Sequence, residues 1–250
     1  MKACLVVHGL TGTPATVASL SVKLAAHGFN VVTPRLAGHD TLKNLERVTW
    51  QEWYQSVLDA YQSLRQETDQ ISYAGISLGA LLGLHLAANE GKELRALALL
   101  STPFHLNFLN TFLIYLVRYT PLRFLITSVA KDPLRSVADP EGRKFYMEHS
   151  LKRIPAHATY ELIDLQRKIR EELPHIKNPL LLVHADHDQV SPSSNVRIIK
   201  KLCGSQHIEI ARFPRSHHVM TLDFEKELAA NATLEFFNRF TSAIHVPTTR

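Results

Sequence analysis

The chain has 250 residues, 45% of them apolar, which is enough to bury one large core. Its formal charge of +5 comes from scattered Lys and Arg side chains, so a nucleic-acid partner is not expected. The apolar run after Lys2 is too short for a secretory leader, and no run is long enough to span a membrane. Cys4 and Cys203 form no disulfide framework. We therefore expect a soluble, cytoplasmic protein with free thiols and no stable membrane insertion.

Short apolar or β-branched runs alternate with longer amphipathic stretches, a pattern typical of βα units around a parallel sheet. Strands are predicted at residues 3–7, 29–33, 71–75, 96–100, 180–184 and 208–213. Helices are predicted at about 14–27, 50–66, 78–90, 193–203 and 223–241. Gly28, Gly91 and Gly204 each follow a helical run, where a left-handed glycine commonly ends the helix. The sequence predicts a mostly parallel sheet of about six strands flanked by helices.

Residues 102–176 interrupt this alternation, because they contain helical-looking runs but no convincing strand. We predict a helical cap over the carboxyl edge of the sheet, where open α/β folds bind ligands. The core domain is then formed by residues 1–101 and 177–250. Apolar side chains of the cap predict either the lining of an acyl cleft or core packing within the insertion. These side chains are Phe104, Leu106, Phe108, Leu109, Phe112, Leu113, Ile114, Leu116 and Phe124.

A G-x-S-x-G motif, Gly75-Ile76-Ser77-Leu78-Gly79, lies between a predicted strand and a predicted helix. A nucleophile at the edge of a sheet needs a very sharp turn, and flanking glycines let the backbone pass closely without Cβ clashes. The motif therefore predicts that Ser77 is a nucleophile whose hydroxyl stands above the sheet.

Acyl transfer also needs two backbone N–H groups directed at the developing oxyanion. Leu78, the residue after the nucleophile, supplies one of them in this architecture. His8-Gly9-Leu10-Thr11-Gly12 follows the first predicted strand, and Leu10 is the candidate for the second amide. Taken alone this segment fits an ordinary strand-to-helix turn equally well. Together with the G-x-S-x-G motif it predicts an oxyanion hole.

The acid and the base of such a site follow the nucleophile in the order Ser, Asp or Glu, His. The loop after the fifth strand offers Asp186 and Asp188, and Asp188 in its middle is better placed to reach the next loop. The loop after the last strand offers His217 and His218. His184, His187 and the two aspartates are all metal-ligand types, but their spacing fits no recognised zinc signature. We predict neither a metal nor an organic cofactor.

The assembled motifs resemble the α/β-hydrolase superfamily, and most of all its bacterial carboxylesterase and monoacylglycerol lipase family. The similar segments are residues 8–14, 34–39, 75–79, the loop around Asp188, and residues 216–223. The resemblance implies a triad of Ser77, Asp188 and His218, oxyanion amides at Leu10 and Leu78, and a helical cap that forms the acyl pocket. His217 departs from the family pattern, which has a small residue before the catalytic histidine.

We therefore expect a serine hydrolase that cleaves carboxylic esters, either short to medium acyl esters or monoacylglycerols, through an acyl-enzyme. The expected partner is a small ester with an apolar acyl chain. Peptidase, thioesterase or C–C hydrolase chemistry could use the same triad. A non-catalytic binding protein is the alternative outside enzymes, because a fold does not determine a function.

Overall fold

The computed structural model describes residues 1–241. Within this range the chain forms eight strands: β1 (Lys2–Val7), β2 (Phe29–Val32), β3 (Ile71–Ile76), β4 (Leu94–Leu100), β5 (Ser128–Ala130), β6 (Arg153–Pro155), β7 (Leu180–Ala185) and β8 (Ile208–Phe213). Ten α-helices lie in the same described range: α1 (Ala18–Ala26), α2 (Leu42–Leu45), α3 (Trp50–Glu67), α4 (Leu78–Glu90), α5 (Phe108–Tyr119), α6 (Pro133–Ser136), α7 (Pro140–Glu148), α8 (Ala156–Glu172), α9 (Ser194–Leu202) and α10 (Lys226–Thr241).

Six of the strands form one sheet in the order β2-β1-β3-β4-β7-β8, and every neighbouring pair is parallel. The chain goes from β1 to β2 on one side and then crosses to β3 on the other side. The loops after β1 and β3 therefore meet at the point where the strand order reverses, which is the usual ligand site of an open α/β sheet. The predicted fold class, a six-stranded parallel sheet flanked by helices, is confirmed.

The four central strands β1, β3, β4 and β7 are buried on both faces, as is usual in parallel sheets, whereas the edge strands β2 and β8 are partly exposed. In β1 the side chains alternate between two apolar clusters, because successive strand residues point to opposite faces. Leu5 and Val7 pack with α3, α4 and α8, whereas Cys4 and Val6 pack with α1 and α10. Cys4 and Cys203 are free thiols, as expected.

The three glycines predicted to end helices in a left-handed conformation behave differently from one another. Gly28 has φ +85° and ends α1 as predicted, but Gly91 has φ −67° and the prediction for it is wrong. Gly204 is likewise not in the left-handed region. Gly204 is needed for close approach, since a Cβ there would collide with the Pro174 carbonyl, whereas a Cβ at Gly91 would meet only the end of the Asn178 side chain.

The segment predicted as a helical cap contains α5 to α8, but it also contains strands, so the prediction that it has none is wrong. Strands β5 and β6 form an antiparallel pair, with Val129 opposite Ile154. Each strand has only three residues, too few for an alternating pattern to be visible in the sequence. In the part of the chain that the structure describes, no helix has the length and apolar character needed to cross a bilayer.

Helix α8 belongs to both regions. Its Asp164 holds Arg118 of α5 through two hydrogen bonds of 2.8 and 2.6 Å. Leu165 and Ile169 of the same helix are fully buried in the cluster that contains α3 and α4. The last two turns before the predicted boundary at residue 176 therefore pack against the core helices.

Candidate active site

Ser77 occupies the sharp turn between β3 and α4, with φ +55° and ψ −117°, a conformation that non-glycine residues rarely adopt. The flanking glycines make this turn possible. A Cβ at Gly75 would collide with the carbonyl of Gly79, and a Cβ at Gly79 would collide with the carbonyl of Val7. The G-x-S-x-G pattern thus reflects close packing of the turn against β1, and it leaves the Ser77 hydroxyl at the carboxyl edge of the sheet.

The structure brings Ser77, His218 and Asp188 together from three different loops. His218 Nε2 lies 2.9 Å from Ser77 Oγ, and His218 Nδ1 lies 2.8 Å from Asp188 Oδ2. With the proton on Nδ1, the imidazole donates to the carboxylate and Nε2 accepts the serine O–H. This is the arrangement that converts an ordinary hydroxyl into a nucleophile.

Asp188 is fully buried and uses both carboxylate oxygens. Oδ1 accepts the amides of Val190 and Ser191, each at 2.8 Å, which fixes the carboxylate for its contact with His218. Burial alone would raise the pKa of Asp188, but the attraction and hydrogen bond of His218 outweigh it and the pKa is lowered. The carboxylate therefore stays ionised beside the imidazole.

His184 is a neighbour of this site that sequence reasoning placed only in a buried strand. Its Nε2 lies 3.9 Å from Asp188 Oδ2 and 3.2 Å from the carbonyl oxygen of Ser191. Burial lowers the pKa of His184, partly opposed by Asp188, so this second imidazole remains neutral. Within residues 1–241 there is no group of three or more His, Cys, Asp or Glu side chains that could hold a metal ion.

The two alternatives for acid and base lie elsewhere. Asp186 Oδ1 accepts from Arg212 Nε at 2.6 Å, in an ion pair open to solvent. His217 directs Nδ1 to the Leu134 carbonyl oxygen at 2.8 Å and thereby contacts the cap. Neither side chain hydrogen-bonds to the Ser77 and His218 pair.

The loop after β1 packs directly on the nucleophile. A Cβ at Gly9 would lie 3.2 Å from Ser77 Cβ, so only glycine lets this loop come so close without displacement. His8 holds the loop, with Nδ1 bonded to the Gly9 carbonyl oxygen at 2.9 Å and Nε2 accepting the Leu36 amide at 3.2 Å. Leu10 lines the cleft beside Ser77, and Leu78 begins α4, where an amide has no intrahelical acceptor.

A cleft of about 460 Å³ opens above Ser77 and His218, and most of its wall belongs to the cap. Of the nine apolar cap residues named from the sequence, Leu106, Leu113 and Ile114 line this cleft. Phe104 is instead fully buried in the core. The other five are exposed, so they neither line the cleft nor pack in a core: Phe108, Leu109, Phe112, Leu116 and Phe124.

Asp223 supports the site in a way that sequence reasoning missed. Its fully buried carboxylate accepts four backbone amides, each at 2.8 or 2.9 Å. Two belong to Ala138 and Asp139 before α7, and one belongs to His217. Asp223 thus joins the cap to the loop that carries His218. Its place in the segment 216–223 was the only signal, and that signal gave no role.

Fold and geometry together define the chain as an α/β-hydrolase with a serine at the turn between strand and helix. Residues 1–227 match the model of the family described as serine aminopeptidase, S33, and the chain belongs to this family. The resemblance inferred from the sequence motifs is therefore confirmed.

Two relatives and one solved structure place the chain further. It is 30% identical to the thermostable monoacylglycerol lipase of Bacillus sp. (strain H-257), an alignment that covers 93% of this chain and 89% of that protein. It is 25% identical to the carboxylesterase of Bacillus subtilis (strain 168), over 95% of this chain and 93% of that protein. The structure of Paleococcus ferrophilus monoacylglycerol lipase matches with a TM-score of 0.80 at 20% identity, covering 96% of this chain and 95% of that one.

Proposed function

We propose that this protein hydrolyses carboxylic esters through an acyl-enzyme on Ser77. The observation that carries the proposal is the pair of short hydrogen bonds that link Ser77, His218 and Asp188. His218 Nε2 takes the proton of Ser77 as Oγ attacks the ester carbonyl, and Asp188 stabilises the imidazolium that forms. His218 then gives this proton to the leaving alcohol. A water activated by the same imidazole hydrolyses the acyl-enzyme.

The amides of Leu10 and Leu78 hold the oxyanion in this proposal. Leu78 is suited to it because its N–H lies at the N-terminus of α4, where the aligned peptide dipoles favour negative charge. Leu10 is suited because its loop packs against Ser77 and is held rigidly by His8. Rigid donors stabilise the developing charge without reorganisation during the reaction.

The substrates we propose are short to medium acyl esters, including monoacylglycerols. The wall formed by Leu106, Leu113 and Ile114 is apolar, and burying an acyl chain against it is favourable by about 0.8 kcal/mol for each methylene. The curated relatives are a monoacylglycerol lipase and a carboxylesterase, which supports the same substrate class. The proposed roles of residues 102–176 are to cap the sheet and form this cleft.

Hydrolysis of peptides is the second candidate, because the matched family is described by a serine aminopeptidase. An aminopeptidase must bind the α-ammonium group of its substrate, which requires an anionic subsite next to the scissile bond. The cleft instead presents the amine of Lys131, and Asp132 on the same wall is engaged with Arg135. This wall favours esters over free amino termini.

The free thiols Cys4 and Cys203 support a reducing, cytoplasmic location.

The decisive experiment combines covalent labelling with turnover. A fluorophosphonate probe should label the wild-type protein and leave Ser77→Ala unlabelled, since only the activated hydroxyl attacks phosphorus. A series of 4-nitrophenyl esters with increasing acyl length should be cleaved by the wild type, and Ser77→Ala should lose roughly 10⁴-fold or more in kcat. Amino-acid 4-nitroanilides test the peptidase alternative. Absence of both labelling and ester cleavage would exclude the proposed function.

A further inference from the structure

Lys131 places an amine inside the cleft, directly after β5. Its Nζ donates to Ser150 Oγ at 2.9 Å and lies 3.9 Å from the centre of the Tyr146 ring. Both partners are uncharged, so each stabilises the ammonium group without neutralising it. The cleft therefore contains a cation whose immediate contacts provide no opposite charge.

Tyr146 connects this amine with the loop beside the nucleophile. The side chain is buried, and its hydroxyl lies beside the hydroxyls of Thr11 and Ser136. Burial raises the pKa of Tyr146 to about 12, so the phenol carries no negative charge to pair with Lys131. Thr11 follows Leu10 and lines the cleft. The Tyr146 ring thus lies between the ammonium group and the loop that packs on Ser77.

The other charged groups of this wall pair with each other. Asp132 and Arg135 form an ion pair of 3.3 Å, and both side chains are more than half exposed. Within residues 1–241 no carboxylate lies within ion-pairing distance of Lys131 Nζ. Burial lowers the pKa of Lys131 to about 7, so the amine is partly protonated in neutral solution. A bound anion would raise that pKa again and keep the amine charged.

We propose that Lys131 forms a subsite for an anionic substituent, a carboxylate or a phosphate, on the ester substrate. The proposal rests on the ester hydrolysis proposed above and names the substrate class more closely. An ester that carries such a group on its acyl or alcohol part would place it on the Lys131 ammonium. An ester without this charge would leave the amine with its uncharged contacts only.

Two matched substrate pairs test the subsite and distinguish its two orientations. The first pair is 4-nitrophenyl hexanoate and the 4-nitrophenyl monoester of adipic acid, which differ by a carboxylate at the acyl end. The second pair is 1-hexanoylglycerol and its 3-phosphate, which differ on the alcohol side. In the wild type we expect kcat/KM to be higher for the anionic member of at least one pair. A preference in neither pair overturns the proposal.

Three variants assign the preference to Lys131. Lys131→Met should lower kcat/KM for the anionic ester about tenfold and change the neutral one by no more than about twofold. Lys131→Arg should retain the preference. Lys152→Met is the matched control. Lys152 lies on the neighbouring segment of the same chain, where its carbonyl oxygen accepts the Lys131 amide, and its side chain is exposed. Equal losses for both members of a pair in Lys131→Met would overturn the proposal.

A measurement on the wild type remains decisive even where Lys131→Met folds poorly. For whichever pair shows the preference, the ratio of kcat/KM for the anionic and the neutral member should fall as the pH rises through about 7, because a neutral amine attracts no anion. Any effect of pH on the catalytic steps that the two esters share cancels in the ratio. A constant ratio overturns this inference while ester hydrolysis stands. Loss of the proposed function is a separate outcome, since then neither ester is cleaved and Ser77 is not labelled.

Discussion

The side chains of the loops that carry Ser77, Asp188 and His218 differ in burial from those of the cap helix α5. The side chains of His218 and Asp188 are buried, and both oxygens of the Asp188 carboxylate have a partner. Helix α5 contains no buried residue, and Phe108 at its start is 85% exposed. The triad loops are held by many specific contacts, whereas α5 is joined to α8 by the polar contacts of Arg118 with Asp164 and of Tyr115 with Arg167.

This contrast separates chemistry from substrate choice. A displacement of about 1 Å in a reacting group costs about a hundredfold in rate, so the triad loops need rigid support. Most of the residues that line the cleft belong to the segment 102–176, and several of those from α5 are apolar. We expect substitutions in the triad loops to change kcat sharply and substitutions in α5 to change selectivity among acyl chains.

The largest difference is expected between two aspartates of one loop. Asp188→Asn removes the charge that stabilises the His218 imidazolium and should lower kcat about 10⁴-fold. Asp186→Asn should cost no more than a few-fold, because it removes only an exposed ion pair with Arg212. Steady-state kinetics with a 4-nitrophenyl ester, at equal thermal stability, measures both. If Asp186→Asn were the more damaging change, the role of the acid would pass to Asp186.

Asp223 should link the two regions energetically. In Asp223→Asn one carboxylate oxygen becomes an N–H donor that faces backbone amides in a buried site. We expect a loss of about 2 to 3 kcal/mol in the free energy of unfolding and at least a tenfold loss in kcat, because the His217 amide is released. Urea unfolding and ester kinetics test this.

Glu227→Gln is a suitable control for that experiment, since Glu227 lies exposed in the first turn of α10 and pairs only loosely with Lys23 at 4.0 Å. Its substitution should change the free energy of unfolding by less than about 0.5 kcal/mol. Equal effects of the two substitutions would show that the four amide contacts of Asp223 carry no special energy.

The sheet was predictable because each strand carries its own signal. Ile208 to Phe213 and the run that ends at Ala185 are bounded by turn residues, and the two runs pair in parallel in the sheet. Strands β5 and β6 carry no such signal, because three residues cannot display alternation and their pairing depends on the cap. The left-handed conformation predicted for Gly91 was wrong because the chain continues from α4 into a further helical turn at Gly91–Glu93, so Gly91 keeps a right-handed conformation.

The sharp turn at Ser77 was predictable from local chemistry, since such a turn requires glycines at fixed positions. Asp186 and Asp188 differ only in where their loop directs them, which follows from the amides of Val190 and Ser191. The role of Asp223 could not be inferred, because its partners are backbone amides, which leave no trace in residue type.

As the pH falls, the loop after β1 should lose stability before most carboxylates are protonated. Burial lowers the pKa of His8 to about 3 and that of His39 to about 4, whereas both rings titrate near 6.5 in the unfolded chain. The stability due to the neutral rings is complete above pH 6.5 and is lost as the pH falls below it. At pH 5 the lowered pKa of each ring should reduce the free energy of unfolding by about 2 kcal/mol relative to its value above pH 6.5.

His39→Phe tests this linkage, because it keeps an aromatic ring next to His8 and Trp53 but cannot be protonated. The urea midpoint of this variant should fall less steeply between pH 7.5 and 5 than that of the wild type. His27→Gln is the control, since His27 is exposed at the end of α1. An unchanged slope in His39→Phe would rule out His39 as a source of acid sensitivity.

The smallest effects are expected within α5, where a substitution on the face that lines the cleft should act differently from one on the exposed face. Ile114 lines the cleft, so Ile114→Ala should lower kcat/KM for esters long enough to reach it, by about fourfold for each substrate methylene that the shortened side chain leaves uncovered. Esters too short to reach Ile114 should be unaffected. Phe108→Ala should leave both kcat/KM and stability nearly unchanged, within about 0.5 kcal/mol, because the ring is exposed and lies outside the cleft. A chain-length series on both variants measures the difference. If both variants lost activity equally at every acyl length, α5 would act on the catalytic geometry and the separation between chemistry and selectivity would fail.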